Sequence, residues 1–435
     1  MNTSTSQQWY ERGMHSVPGG VHSSSRFRRP YPLYFARAEG AYLWDVDGNR
    51  YLDCNMGNGA IILGHRHPAV MAAIEAALGR GLGAGYETPL SIRVAEKFLQ
   101  LVPTAERVRF TNTGTGAALH ALQMARALTG KEDVAKAEGS YHGWADGLFV
   151  SIWHDPRQAR QEGGLRSVPG TRGLSSREVE HTLVVPFNDV EGACRLLREH
   201  QDRLAALILE PVLIDVGFIP AHREYLQALR ELTRELGIVF IMDELLTGFR
   251  MAAGGAQQHY GVQPDLSLFG KAIANGQVMA AVAGTAAAFS VCEPENQQVA
   301  FVGTFNGHQL SLAVADVVLD ILADPSVIAT LEANTRRLEA TCKELAAAYG
   351  VDVQLQGGGG HFQWYFHSRP VEDYPGAWSS DASAYGVFRE AMSEAGVIIA
   401  GNYLGHNAIS LAHGEEEMAF LEKAMEAGIA AVARA

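Results

Sequence analysis

The chain is 435 residues long, with 47% hydrophobic and 19% charged residues and a formal charge of −13. That size predicts about two or three structural units and a core large enough to need no staples. The acidic balance excludes a nucleic-acid partner, which needs a clustered basic face, but leaves room for a small anionic ligand, because local charge can oppose net charge.

Cys54, Cys194, Cys292 and Cys342 form no CxxC pair. Their spacing suits neither zinc nor a disulfide framework and predicts buried, reduced thiols in a cytosolic protein, with no metal. The opening stretch "MNTSTSQQWYERGMHSVPGG" lacks the apolar core of a signal peptide. The longest apolar run, "VMAAVAGTAAAFSVC", is too short and too rich in Ala and Gly to cross a bilayer. A soluble, cytoplasmic protein is expected.

Near the N-terminus, "GAYLWDVDGNRYLDC" alternates apolar and polar residues around "DG", the pattern of an antiparallel hairpin. The middle of the chain then alternates strands and helices. "RVRF" leads through "TNTGTG" into the Ala/Leu-rich helix "AALHALQMARALTG", ended by Gly130. "DVAKAEG" reads as a strand, and "HTLVVPFND" as another that runs into the helix "DVEGACRLLREHQDR", with Asn188 as its N-cap. "LAALILEPV" is a continuous apolar run, as a strand covered on both faces should be. In "HREYLQALRELTRELG" the residues Tyr225, Leu226, Leu229, Leu232 and Leu236 keep the helical period up to a Gly stop. "IVFIMDE" and "DLSLFGK" are strand-like again.

This alternation predicts an α/β fold, a mainly parallel sheet with helices on both faces. Ligands bind such sheets beyond the carboxyl ends of their strands. The polar residues that end the apolar runs, Thr111 to Thr115, Glu210, Asp243 and Lys271, should therefore converge. Beyond about residue 315 the chain turns helical, returns to short strands near "HFQWYF" and "AISLAHG", and closes on a helix. The two ends are expected to form a smaller α+β unit: residues 1–65 and 313–435, around a large domain at 66–312.

Each candidate residue carries a functional and an ordinary reading. "TNTGTGAALH" offers backbone N–H groups, hydroxyls and a helix N-terminus to a phosphate, or is a plain strand–helix turn. It lacks the GxGxxG pattern and the acidic residue of a nicotinamide site. Asp243 in "IMDELLTGFR" could pair with a protonated ring nitrogen, cap a helix or bind a metal, the last without a His cluster to support it; Glu244, by alternation, points the other way. Tyr141 and His142 in "SYHGW" could lie on a flat ligand, or belong to core or surface. Lys271, among small residues in "SLFGKAIANGQ", would lose hydration and become a nucleophile able to form Schiff bases, unless it is simply solvated. Together these are the contacts pyridoxal phosphate requires.

The ordered set "NTGTGA", "YHGW", "LILEPV", "MDELLTGFR", "LFGKAIANG" and "GTFNGH" resembles the class III, fold type I pyridoxal-phosphate aminotransferases. The subgroup it is most similar to holds glutamate-1-semialdehyde aminomutase and related β-amino-acid transaminases. The resemblance implies the cofactor pyridoxal 5′-phosphate and roles for particular residues. Lys271 would be the Schiff-base lysine and proton carrier, Asp243 the partner of the pyridine nitrogen, and Tyr141 the stacking aromatic, with His142 and Glu210 beside the ring. Gly114 and Thr115 would cradle the phosphate, with Thr113 next to them. Thr304 would reach it from the other subunit, which implies a homodimer with shared sites. Arg26 in "SSSRFRR" aligns with the arginine that clamps a substrate carboxylate; with Arg28 and Arg29 beside it, surface charge is the other reading.

Two departures bear on function. Gly116 stands where the family has a glutamate. The segment "WHDPRQARQEGGLRSVPGTRG", with Arg157, Arg160, Arg166 and Arg172, replaces the aminomutase's Gly/Ser-rich gating loop. The leading reading is therefore a ping-pong aminotransferase acting on an amino donor and a carbonyl acceptor. The alternatives are an intramolecular aminomutase or an epimerase and, from another class, a non-catalytic ligand-binding relative, against which Lys271 and Asp243 together argue.

Overall fold

The structure is a computed structural model that describes residues 2–81, 83 and 85–435. Its centre is a seven-stranded sheet ordered Arg107–Thr111, Ala280–Gly284, Leu266–Gly270, Val239–Asp243, Leu204–Leu209, Asp133–Ala137, Thr182–Val185. Ala280–Gly284 runs antiparallel to both of its neighbours, so the other six strands all point the same way. Their carboxyl ends make one rim. The strands Leu204–Leu209, Val239–Asp243 and Leu266–Gly270 are buried along their whole length. That is why they read as continuous apolar runs rather than alternating ones.

Helices cover both faces. Gly114–Thr129 ends at Gly130, whose φ of 69° is left-handed. Arg223–Leu236 buries Tyr225, Leu226, Leu229 and Leu232 against the sheet and stops at Gly237, also left-handed. The helix Val190–Glu199 is capped by Asp189, which accepts from the Gly192 N–H at 2.9 Å. This corrects the expectation for Asn188. Its φ is 61°, and its amide instead ties together the carbonyls of Pro220 and Glu372. The apolar run "VMAAVAGTAAAFSVC" divides into the antiparallel strand and the short helix Ala286–Phe289.

The N-terminal hairpin forms as expected, Tyr42–Asp45 pairing antiparallel with Arg50–Asp53. Val397–Ile398 from the far end of the chain adds to it in parallel, so the two ends share a sheet. One apolar cluster runs through Leu52, Phe98, Phe269, Leu312, Trp364 and Met425, joining these outer elements to the central sheet. All four cysteines are buried and free. Among the described residues no helix is long and apolar enough to cross a membrane, and no group of three or more His, Cys, Asp or Glu residues could hold a metal.

Candidate active site

The rim gathers the polar residues that end the apolar strands. Lys271 follows Leu266–Gly270 directly and opens a single 3-10 turn, Lys271–Ala274. Its φ of 47° is left-handed, a conformation that costs a non-glycine residue about 1 kcal/mol or more and that persists where the surroundings impose it. The surroundings are visible: Asn275, also left-handed, accepts from the Leu63 N–H at 2.9 Å and donates to the Gly64 carbonyl at 3.2 Å. Burial lowers the affinity of Lys271 for its proton, while Asp215, Glu210 and Asp243 pull it back up and Arg250 opposes them. The result is an amine below its ordinary range, which favours the nucleophilic free base.

Asp243 ends the neighbouring strand and is 3% exposed. One carboxylate oxygen accepts from the Leu245 N–H at 3.0 Å, and the other lies 2.8 Å from His142 Nδ1. Glu244 does point elsewhere. It caps the helix Ala256–Tyr260 through the N–H groups of Ala256 and Gln257, and burial pushes its carboxyl up to about 7. Alternation thus divides two adjacent acids between the site and the scaffold.

His142 is fully buried, and its Nε2 has no hydrogen-bond partner among the described residues. Burial keeps its imidazole below the usual range, against the pull of Asp243. Tyr141 donates its N–H to Glu210 Oε1 at 2.8 Å, and Glu210 Oε2 also accepts from the Ile214 N–H at 3.3 Å. Glu210 therefore holds the aromatic turn by its backbone; burial, with Asp215 and Asp243 nearby, raises its carboxyl well above the carboxylate range. The ring of Tyr141 stacks on Trp153, centroids 5.6 Å apart at 23°. Trp153 in turn donates to the Asp215 carbonyl at 3.0 Å.

The third wall is the start of the helix Gly114–Thr129. The Thr113 hydroxyl caps it by accepting from the Gly116 N–H at 2.9 Å. The N–H groups of Gly114 and Thr115 lie in the first turn, where no helix carbonyl can reach them. Two close approaches explain the glycines here. A Cβ on Gly114 would sit 2.5 Å from Leu245 Cδ1, and one on Gly143, at φ 102°, would sit 2.3 Å from Thr115 Oγ1. The turn carrying Tyr141 and His142 thus lies directly on the helix N-terminus.

Two expected residues stand apart. Arg26 is exposed in the turn Ser24–Arg26, whereas Arg28 reaches inward to the Ile399 carbonyl at 2.9 Å. Thr304 is exposed and lines a separate groove with Tyr86, Arg109 and Phe301. Sequence reasoning missed Asp215, which lies in the loop beyond Glu210 without a motif to mark it. It also missed Arg250, buried with no carboxylate partner among the described residues and donating to Gly59 and Gly359 carbonyls at 2.8 and 3.0 Å. The arginine following "TGF" was its only signal. In the segment 153–173, Arg157 pairs with Asp155 and faces solvent.

The family model described as aminotransferase class-III matches residues 23–418. Among curated relatives, a glutamate-1-semialdehyde 2,1-aminomutase from Thermodesulfovibrio yellowstonii is 36% identical over 430 residues, covering 98% of each chain. Among solved structures, an omega-transaminase from Sphaerobacter thermophilus superposes with a TM-score of 0.94 at 33% identity, over 99% of this chain and 98% of that one. A transaminase with PLP bound gives 0.90 at 33% identity over the full length of both chains.

Proposed function

The chain belongs to the class-III aminotransferases, fold type I enzymes that use pyridoxal 5′-phosphate, and from that premise we propose how its own residues serve the reaction. The cofactor supplies an aldehyde that condenses with amines and a pyridine ring that takes up the electrons of a deprotonated carbon. The residues fit it: a buried amine at 271 whose proton affinity burial lowers, a buried carboxylate at 243, an aromatic plate at 141, and first-turn N–H groups at 114 and 115 left without helix partners.

In this reading Lys271 would hold the cofactor covalently, and its amine would carry the proton to and from the substrate carbon. Asp243, oriented by His142 and by the Leu245 N–H, keeps a proton on the ring nitrogen. Thr113, Gly114 and Thr115 bind the phosphate at the helix N-terminus. Glu210 fixes the Tyr141 turn, and Tyr141 covers the ring. Thr304 reaches the phosphate of a second copy, so the working unit is a homodimer. Exposed Tyr86 in its groove, and exposed Val302 and Phe305 next to Thr304 in the chain, at 81%, 72% and 54%, support that surface as the contact. Arg26 receives a substrate carboxylate. Residues 66–312 form the cofactor-binding unit, with 1–65 and 313–435 beside it, in a cytoplasmic enzyme.

The function is transfer of an amino group from an amine or amino-acid donor to a carbonyl acceptor, in ping-pong order. The observation that carries it is a buried Lys271 amine within the electrostatic reach of Asp215, Glu210 and the Asp243 that pairs with His142. A panel of amine donors, each mixed with holoenzyme without acceptor, should convert the cofactor spectrum from its aldehyde to its amine form; no donor converting it would refute the reading. The 36% identity to an aminomutase favours one alternative, intramolecular transfer. Turnover with no added keto acid and no keto product would establish that instead.

A further inference from the structure

Lys136 is a buried cation that the proposed reaction does not use. It sits in the strand Asp133–Ala137, behind the turn that carries Tyr141 and His142, and is 0% exposed. Its ammonium bonds not to a carboxylate but to two backbone carbonyls, Ser140 O at 2.7 Å and Val150 O. An ammonium so placed costs several kcal/mol of desolvation that an apolar residue would avoid.

The two carbonyls belong to two segments that must meet. Ser140 immediately precedes Tyr141. Val150 precedes Ser151 and Trp153, both left-handed at φ 50° and 49°. The segments touch again where the Gly139 N–H donates to the Ser151 carbonyl at 2.8 Å. Beyond that point the Trp153 ring lies on Tyr141. We propose that Lys136 is a positioning residue of the cofactor site, a clip that fastens the Tyr141–His142 turn to the 150–153 segment so that Tyr141 and Trp153 stand as one aromatic plate. The inference rests on the cofactor assignment above but concerns a residue that touches neither cofactor nor substrate. Burial pushes the Lys136 amine down to about 7, with Glu210 pulling it up. Two N–H donors remain even in the neutral form, so the clip survives that titration.

Three variants of the full-length protein test it, read by pyridoxal phosphate affinity of the cofactor-free form and by the circular dichroism of the bound chromophore. Lys136→Met fills the volume but leaves both carbonyls without a donor; it should bind the cofactor about tenfold more weakly and lose part of the dichroic band. Lys136→Gln restores two neutral N–H donors and should stay within about threefold of the parent. Trp153→Leu, at the exposed end of the plate, should weaken binding about three- to tenfold and decides the matter should the Met variant not fold. Unchanged affinity and dichroism in the Met or Leu variant, or a Gln variant as weak as Met, would overturn the clip. A parent that takes up no pyridoxal phosphate would defeat the cofactor assignment, and the clip with it; a parent that binds it as well as Lys136→Met would defeat the clip alone.

Discussion

The rim of the central sheet and the exposed segments around Arg26 and Thr304 carry residues assigned to one site, yet they are built differently. At the rim the two acids and the lysine each stand at or just past the end of a buried strand, and their surroundings fix them. Asp243 has His142 and the Leu245 N–H, Glu210 has two backbone donors, and Lys271 is set by a left-handed turn against Asn275. Among the described residues the side chains of Arg26 and Thr304 have no such anchors; both are exposed on short turns. The difference separates what one chain pre-organises from what needs a substrate or a second copy to complete it.

The sharpest way to break this comparison is at the rim. Lys271→Ala should cut turnover by about four orders of magnitude or more while the unfolding transition stays in place, since the side chain supplies both covalent anchor and base. Residual turnover near that of the parent would contradict it. Asp243→Asn keeps the shape but loses the charge, and kcat should fall about 10²–10³-fold, as for removal of one preorganised electrostatic group. An unchanged kcat would remove Asp243 from the ring nitrogen.

A third test addresses the scaffold beneath the rim. His413 is buried, and burial pushes its imidazole down to about 4 against the pull of Asp53 and Glu417. In the unfolded chain it titrates near about 6.5, so the unfolded state takes up the proton first as pH falls. Its stabilising share is complete above about pH 6.5 and is lost as pH falls through about 4, of the order of 3 kcal/mol. Denaturant unfolding at pH 7 and pH 4 should show that drop in the parent and a shallower one in His413→Asn; equal drops would contradict it.

Smaller effects follow. Gly114→Ala puts a methyl 2.5 Å from Leu245 Cδ1 and should cost about 1–3 kcal/mol in cofactor binding, recovered by Leu245→Ala in the same chain. Failure of the second substitution to rescue would point to a cause other than that contact. At the periphery, Thr304→Ala should weaken cofactor binding only about fivefold. Mixed with Lys271→Ala, it should regain the parent's cofactor affinity in dimers holding one intact site, and an affinity left at the Thr304→Ala value would exclude a shared site. Arg26→Ala should raise KM about tenfold for carboxylate-bearing substrates and leave simple amines unaffected; equal effects on both would end the clamp role.

The same contrast governs what was legible in the sequence. Periodicity exposes the buried strands and the helix Arg223–Leu236, and the sheet rule then brings Thr111 to Thr115, Glu210, Asp243 and Lys271 to one rim. Period and polarity carry that information because burial imposes them. They carry less where geometry is set by a distant partner. Asn188 looked like a cap, but its amide is engaged by Pro220 and Glu372, the second of them 184 positions away in sequence. Asp215 and Lys136 act through backbone carbonyls or field rather than motif, so neither spacing nor alternation marks them, and Arg250 is marked only by its place after "TGF". Trp153 sits in a segment that the sequence marks by its arginines, while its own part is a stack on Tyr141 that only the fold reveals.

The central claim is that the Lys271 amine is the covalent anchor for pyridoxal phosphate. Borohydride reduction of the holoenzyme followed by peptide mass mapping measures this directly. The account predicts a single stable phosphopyridoxyl adduct on the peptide containing Lys271. An adduct on another lysine, or none on a protein saturated with the cofactor, would contradict it.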